Sequence, residues 1–198
     1  STNANLNGVS YHTPDYSKSN GTGVIDFPMH WNFGSAGNAY RRALEEDPYY
    51  NDSTWNVTYV DSHDYGPDMD CRYTGSTQAW AENLDLMFTF RGIPCVYYGS
   101  EVEFKKGELI DKGTLISLEN SGRAYYGDYL EGNVTATDFS EYTASGTVAD
   151  TLASPLSKHL SKVNAIRRAI PALQKGQYTA SSNYVSGGNM SYIRRYTN

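Results

Sequence analysis

Apolar positions along the chain follow two periods. Residues 23–29 (GVIDFPM), 56–61 (NVTYVD) and 94–98 (PCVYY) are short runs of strand type, the middle one alternating. Residues 76–92 instead repeat every three to four positions, placing Trp80, Leu84, Met87 and Phe88 on one helical face. Residues 154–171 do the same with Leu156, Leu160, Val163 and Ile166. A further helix is expected over residues 38–46, which are good helix formers stopped by Asp47-Pro48. The ends are marked as well. Ser76 is an expected N-cap and Gly92 an expected stop, while Ser154-Pro155 supplies a cap and a first-turn proline before Pro171 ends the last helix.

Read in order, these elements run strand, helix, strand, helix, strand, which predicts an α/β fold with a parallel sheet and covering helices. The first twenty residues are rich in Ser, Asn, Gly and Tyr, show little periodicity and read as loop. Residues 100–153 are rich in Gly, Ser, Thr and Tyr and too long for a plain connection, so a functional excursion with local structure is expected there. From Gly176 the pattern alternates over residues 177–181 and 191–196 around Gly187-Gly188, the sign of a hairpin opening a separate β-region.

The middle strand ends as TYVDSHDY, with two acids and a histidine inside four positions. Strands disfavour Asp, so this polar end is either an exit into a loop or the rim of a site. Three pieces in order bear on the choice: GVIDFPMHW, VTYVDSHD, and RGIPCVYYGSE followed by a helix ending IRRAIPALQKGQY. Together they resemble the C-terminal part of the catalytic barrel in the α-amylase family of glycoside hydrolases. The resemblance covers the chain from Gly23 onward, apart from the excursion after Glu101.

It implies the sixth, seventh and eighth strands of a TIM (β/α)8 barrel, residues 1–173 with the excursion 100–153, and the start of an antiparallel β-sandwich domain at 174–198. Such barrels take about 250 residues, so the sequence reads as a piece of a larger enzyme. The expected partner is then the missing N-terminal part of the barrel.

Barrel sites form where strands end, which places Asp61, His63 and Asp64 near the rim. A retaining glycosidase needs a nucleophilic carboxylate and a carboxylic acid about 5 Å apart. The family adds a third carboxylate that favours the oxocarbenium-like transition state, and the motif puts it at Asp64. His63 then donates to a hydroxyl of the same sugar, and Arg72 and Tyr65 are further candidates for substrate contact. Ser62 stands where the family usually has Asn and is expected to pack or hydrogen-bond locally.

The family's nucleophile and acid motifs are absent. Glu101 matches a structural position, Asp26 reads as a structural acid, and the chain by itself is expected to be inactive. Tyr125, Tyr126 and Tyr129 either wall the cleft or pack within their own loop. Trp31 is expected in the core, and Arg167 and Arg168 on a solvent face.

The implied activity is retaining hydrolysis of α-1,4-glucans such as starch and maltooligosaccharides. The alternatives are an α-glucanotransferase of the same family, a non-catalytic α-glucan-binding barrel, and an unrelated α/β domain. No cofactor or metal is assigned to these residues; the resemblance allows calcium in the complete enzyme. Composition adds less. A net charge of −6 without a basic block argues against nucleic acid, and no apolar run reaches the length of a membrane span. Cys71 and Cys95 match no zinc spacing and read as two thiols or one disulfide. Eighteen tyrosines suit either a partly wet binding surface or a Tyr-rich core. Sequons stand at Asn20, Asn51, Asn56, Asn133 and Asn189. An extracellular location follows only from polymeric substrates lying outside cells.

Overall fold

The computed structural model describes residues 2–6, 9–13, 23–50, 52–68, 70–110, 117–124, 134–136, 144–146, 153–179 and 190–197. In chain order the elements are β1 (Thr2–Leu6), β2 (Val9–Thr13), α1 (Phe27–His30), α2 (Ala36–Glu46), β3 (Val57–Thr58), α3 (Thr77–Thr89), β4 (Ile93–Pro94), β5 (Val134–Ala136), β6 (Ala144–Gly146), α4 (Pro155–Ala169), α5 (Pro171–Lys175), β7 (Gln177–Thr179) and β8 (Ile193–Arg195). Two compact units divide them: Ser1–Thr58 with Glu82–Cys95 and Val163–Asn198, and Tyr59–Ala81 with Val96–Lys162.

In the first unit, three parallel segments lie side by side in chain order. Ile25 bridges to Val57, and β3 pairs with β4 in the register Val57↔Ile93 and Thr58↔Pro94. The paired stretches are shorter than the sequence suggests. Residues 23–29 break after Asp26, whose carboxylate accepts from Met29 N at 3.1 Å and caps α1, with Pro28 in its first turn. The third run is paired only at its start, Pro94, together with Ile93 before it, and it is not buried: Cys95 and Tyr98 are exposed and Ile93 is 44% exposed. In-register neighbours point to the same face, so Ile25, Val57 and Ile93 form one row. Ile25 is 52% exposed, which leaves an apolar face open, while Asp26 and Thr58 are fully buried.

α2 begins at Ser35, whose hydroxyl accepts from Asn38 N, and buries Ala36, Ala39, Tyr40 and Ala43, a stripe spaced three, four and seven apart. Tyr40, Phe90, Tyr178 and Tyr192 pack as an aromatic group, with Phe90 centred 4.8–5.0 Å from each of the others. Trp31, expected in the core, is instead 43% exposed and lies nearly parallel to Phe27.

Five side chains far apart in sequence meet in a dry charged cluster. Arg91 donates from Nη2 to Asp26 Oδ2 at 2.7 Å. From Nη1 it reaches Asp47 Oδ1 at 2.6 Å, the Ala43 carbonyl and Tyr178 Oη. Ser53 and Tyr178 both hydrogen-bond Asp47, and all five residues are fully buried. Burial alone lowers the pKa of Arg91; Tyr178, Asp26 and Asp47 more than reverse this and hold it above its ordinary value. Asp26 is therefore structural, as expected.

α3 follows the sequence closely. Ser76 Oγ accepts from Ala79 N, and Trp80, Leu84, Met87 and Phe88 are buried, each contributing on the order of 2 kcal/mol. Past its end Gly92 adopts φ +83°, and a Cβ there would lie 2.6 Å from the Asn56 carbonyl oxygen. Gly92→Ala is expected to cost at least about 1–2 kcal/mol, read as a lower urea midpoint with unchanged slope.

The same helix end gathers cations. Arg167 donates to the carbonyls of Phe88 (2.8 Å) and Gly92 (2.9 Å), so it is not the solvent-face residue the sequence suggested. Arg194 donates to the carbonyls of Phe90 and Gly176. Positive charge suits the orphan carbonyls of a helix C-terminus. Burial, and then the like charge of Arg167, bring the Arg194 pKa down to about 10.

β1 and β2 pair antiparallel, Leu6 opposite Val9, which corrects the loop expected for the first twenty residues. In the tail, β7 and β8 pair antiparallel in the register Tyr178↔Arg194; Gly187-Gly188 lies outside the described residues. α4 starts with Ser157 N donating to Ser154 Oγ and buries Leu156 and Val163, yet Ile166 is 41% exposed. Pro171 ends α4 and opens α5.

Within the excursion, β5 and β6 pair antiparallel and short 3-10 turns cover Ser100–Val102 and Leu118–Asn120. Tyr125, Tyr126 and Tyr129 lie outside the described residues. Both cysteines are free thiols. Asn56 is 1% exposed, too buried for a glycan, and the other four sequons lie outside the described residues. Among the described residues no helix is long and apolar enough to cross a membrane, and no group of three or more His, Cys, Asp or Glu could hold a metal.

Candidate active site

All the residues singled out in TYVDSHDY and its surroundings fall in the second unit. The turn is set by Ser62. Its Oγ accepts from Asp64 N (3.0 Å) and Tyr65 N (2.9 Å) and donates to the Tyr65 carbonyl (3.0 Å). A short hydroxyl can close such a turn as an Asn side chain would. Of packing and local hydrogen bonding, the two roles expected of this position, Ser62 takes the second. Tyr65, held at the far end of the turn, is exposed.

The two acids of the motif have opposite surroundings. Asp61 is buried and accepts from Arg72 Nε (3.0 Å), Tyr73 N (2.8 Å) and Ser100 Oγ (3.3 Å). Burial pushes its carboxyl up, against the pull of Arg72, Tyr73 and Ser100. It fastens the loop instead of facing a ligand, which corrects its placement at the rim.

Asp64 is open to solvent, its side chain 47% exposed beside a 70% exposed His63. His63 Nε2 lies 3.1 Å from Asp64 Oδ2, and Arg123 Nη2 donates to Asp64 Oδ1 at 3.0 Å. Arg123 also donates from Nε to the His63 carbonyl.

Arg72, a candidate for substrate contact, is 1% exposed. Beyond Asp61, it donates to the carbonyls of Gly122 (3.2 Å) and Tyr98 (3.1 Å) and to Ser100 Oγ (3.1 Å). Its guanidinium lies 4.7 Å from the centre of the Tyr97 ring. All three of its nitrogens are engaged by protein, and no face is turned to a ligand. The expectation of a cleft arginine is corrected on this ground: the side chain is a buried tie between the motif loop and residues 98–122.

The arginine that reaches Asp64 is the half-buried Arg123, which the sequence did not point to. It lies 59 residues beyond Asp64, in a stretch without periodicity. Glu103 is also buried, accepting from Thr77 Oγ1 and Lys106 Nζ, and is structural. Among the described residues the site therefore holds one solvent-facing carboxylate, one imidazole and one guanidinium. Such a set can steady positive charge on a ligand and hydrogen-bond hydroxyls. Glycosidic cleavage requires a second carboxylate beside such a group.

No family model matches the sequence, and no curated protein does. Solved structures do. A cyclomaltodextrinase matches with a TM-score of 0.50 at 18% identity, over 88% of this chain and 26% of that one. The γ-CGTase of alkalophilic Bacillus clarkii matches with a TM-score of 0.50 at 17% identity, over 83% of this chain and 21% of its own. A debranching enzyme of Nostoc punctiforme, soaked with acarbose, gives 0.46 at 18% identity, over 79% and 31%. The chain thus spans between 21% and 31% of the length of these structures. At such identities the likeness is one of fold. The cyclomaltodextrinase and the CGTase are enzymes of the α-amylase family, the family that the chain's three motifs resemble.

Proposed function

We propose that this chain is the C-terminal catalytic segment of an α-amylase-type glycoside hydrolase acting on α-1,4-glucans with retention. The observation that carries the proposal is the solvent-facing Asp64, six residues beyond the middle of three parallel strands and bounded by His63 and Arg123. Asp64 is the carboxylate that favours the oxocarbenium-like transition state, and His63 donates to a hydroxyl of the same sugar ring. Tyr65, exposed at the turn, is kept as a substrate contact; Arg72 is not.

The three parallel segments are then the sixth, seventh and eighth strands of a (β/α)8 barrel within residues 1–173, and residues 174–198 begin a β-sandwich. The row of Ile25, Val57 and Ile93 supports this. A parallel sheet is normally covered on both faces, and here one apolar face is open. The remaining barrel strands, carrying the nucleophile and the acid, are its partner. Any calcium is held by those absent segments, and the polymeric substrate places the enzyme outside the cell.

Two samples test this together. The complete enzyme is expected to cleave maltoheptaose with retention at the anomeric carbon, while the isolated chain, flying alone at 22.0 kDa in native mass spectrometry, has no activity above buffer. An active isolated chain would overturn the assignment of the missing carboxylates. An inert complete enzyme that still binds maltoheptaose would favour a glucan-binding barrel, and transfer products in place of shorter hydrolysis products would favour the transferase.

A further inference from the structure

We infer that Arg123 is the positioning residue of the Asp64 carboxylate and that residues 121–124 are built to present it; this rests on Asp64 acting as proposed above. One guanidinium holds two neighbouring residues, donating from Nη2 to the Asp64 side chain and from Nε to the His63 carbonyl. Only the planar fork of arginine makes both bonds from a fixed geometry; a lysine is a single point charge. His63 meets the other carboxylate oxygen. Arg123 is the hydrogen-bond donor to one carboxylate oxygen while His63 Nε2 lies 3.1 Å from the other, so losing the guanidinium frees the carboxylate plane to turn.

The segment that carries Arg123 is fastened at every residue. Ser121 Oγ donates to the Leu118 carbonyl (2.8 Å) and accepts from Arg123 N (3.1 Å). Gly122 N donates to the Leu109 carbonyl at 2.8 Å, and its own carbonyl accepts from the buried Arg72. A Cβ on Gly122 would come within 2.8 Å of Arg72 Cγ, so glycine is what allows this approach. Tyr98 Oη donates to the carbonyls of Arg123 (2.9 Å) and Ala124 (3.1 Å).

Arg72 thereby acquires a purpose consistent with its burial. It ties Asp61, at the start of the motif loop, to the turn that delivers Arg123. A charge that acts on a developing cation works best when it is already aimed, because reorienting it during the reaction costs rate.

The test uses the complete enzyme and maltoheptaose. Arg123→Gln is expected to lower kcat roughly 10–100-fold with KM within about threefold, since misplacing a group needed only in the transition state falls on kcat. Arg123→Lys is expected to fall between Gln and wild type. The affinity for a cationic iminosugar should drop by the same factor as kcat/KM, while product affinity stays unchanged, a pattern that a general loosening of the loop would not produce. A kcat within twofold of wild type in Arg123→Gln overturns the inference. So does a Lys variant no better than Gln, with thermal stability falling in step. If the Gln variant does not fold, the Lys variant decides by whether its kcat falls at least threefold at unchanged melting temperature. Asp64→Asn, measured alongside, separates the failures: if it is inactive while Arg123→Gln is normal, only this inference is lost, and if it is active, the proposed function is lost.

Discussion

Asp64→Asn in the complete enzyme is expected to lower kcat by roughly 10²–10³-fold, the range seen when one positioned electrostatic group is removed from an active site. Asparagine keeps the shape of the side chain and leaves an oxygen for Arg123 to bond. What it removes is the negative charge that opposes the cationic character of the sugar ring as the glycosidic bond breaks. Because the Asp64 side chain is half exposed and its turn is closed by Ser62, the fold should not notice the change. Surface substitutions of this kind stay within about 0.5 kcal/mol. The measurement is steady-state turnover of maltoheptaose beside a thermal melt. Activity above about a tenth of wild type, with the melt unchanged, would remove Asp64 from the chemistry.

Arg91→Met is the second large effect, and it falls on stability. The substitution leaves the Asp26 and Asp47 carboxylates fully buried without their cation. Removing one partner of a buried ion pair costs about 3–5 kcal/mol, and here two acids are stranded at once. In a chain of this size that corresponds to a fall in melting temperature on the order of 10 °C. The triple variant Asp26→Asn, Asp47→Asn, Arg91→Met should recover much of the loss, because neutral side chains of similar shape carry no desolvated charge. Calorimetry of the two variants checks both statements. A triple variant no more stable than Arg91→Met would show that the cluster acts by shape and not by charge.

The features legible in the sequence are those fixed by neighbours along the chain. α3 and α4 were readable because their caps, Ser76, Gly92 and Ser154, and their apolar faces lie within one or two dozen residues. The strand–helix–strand order was readable for the same reason. Strand length was not, because Asp26 and Pro28 inside an apolar run are signals for a helix start, and they outweighed the β-propensity around them. The β1–β2 hairpin carried its own mark: the pair Asn7-Gly8 is the strongest short hairpin signal a sequence offers.

At the site, the polar turn was legible from TYVDSHDY. The partition between a buried Asp61 and an open Asp64 was not, because it depends on Arg72, Tyr73 and Ser100 closing over one of two similar carboxylates. The same distance problem hid the arginines. Arg72 lies near the motif and is buried; Arg123 lies far along the chain and is the one that reaches Asp64.

The change from helix to sheet near residue 174 invites a cut there, and the end of α3 argues against making it. Tyr178 from β7 closes the charged cluster around Arg91, and Arg194 from β8 takes the Phe90 carbonyl. A chain trimmed at that point would lose a buried phenol and a half-buried guanidinium from its first unit and open their partners to solvent. For anyone designing a shorter version of this protein, or looking for where a protease could nick it harmlessly, the visible change of secondary structure is the wrong guide. β7 and β8 belong to the stability of the strands that precede them.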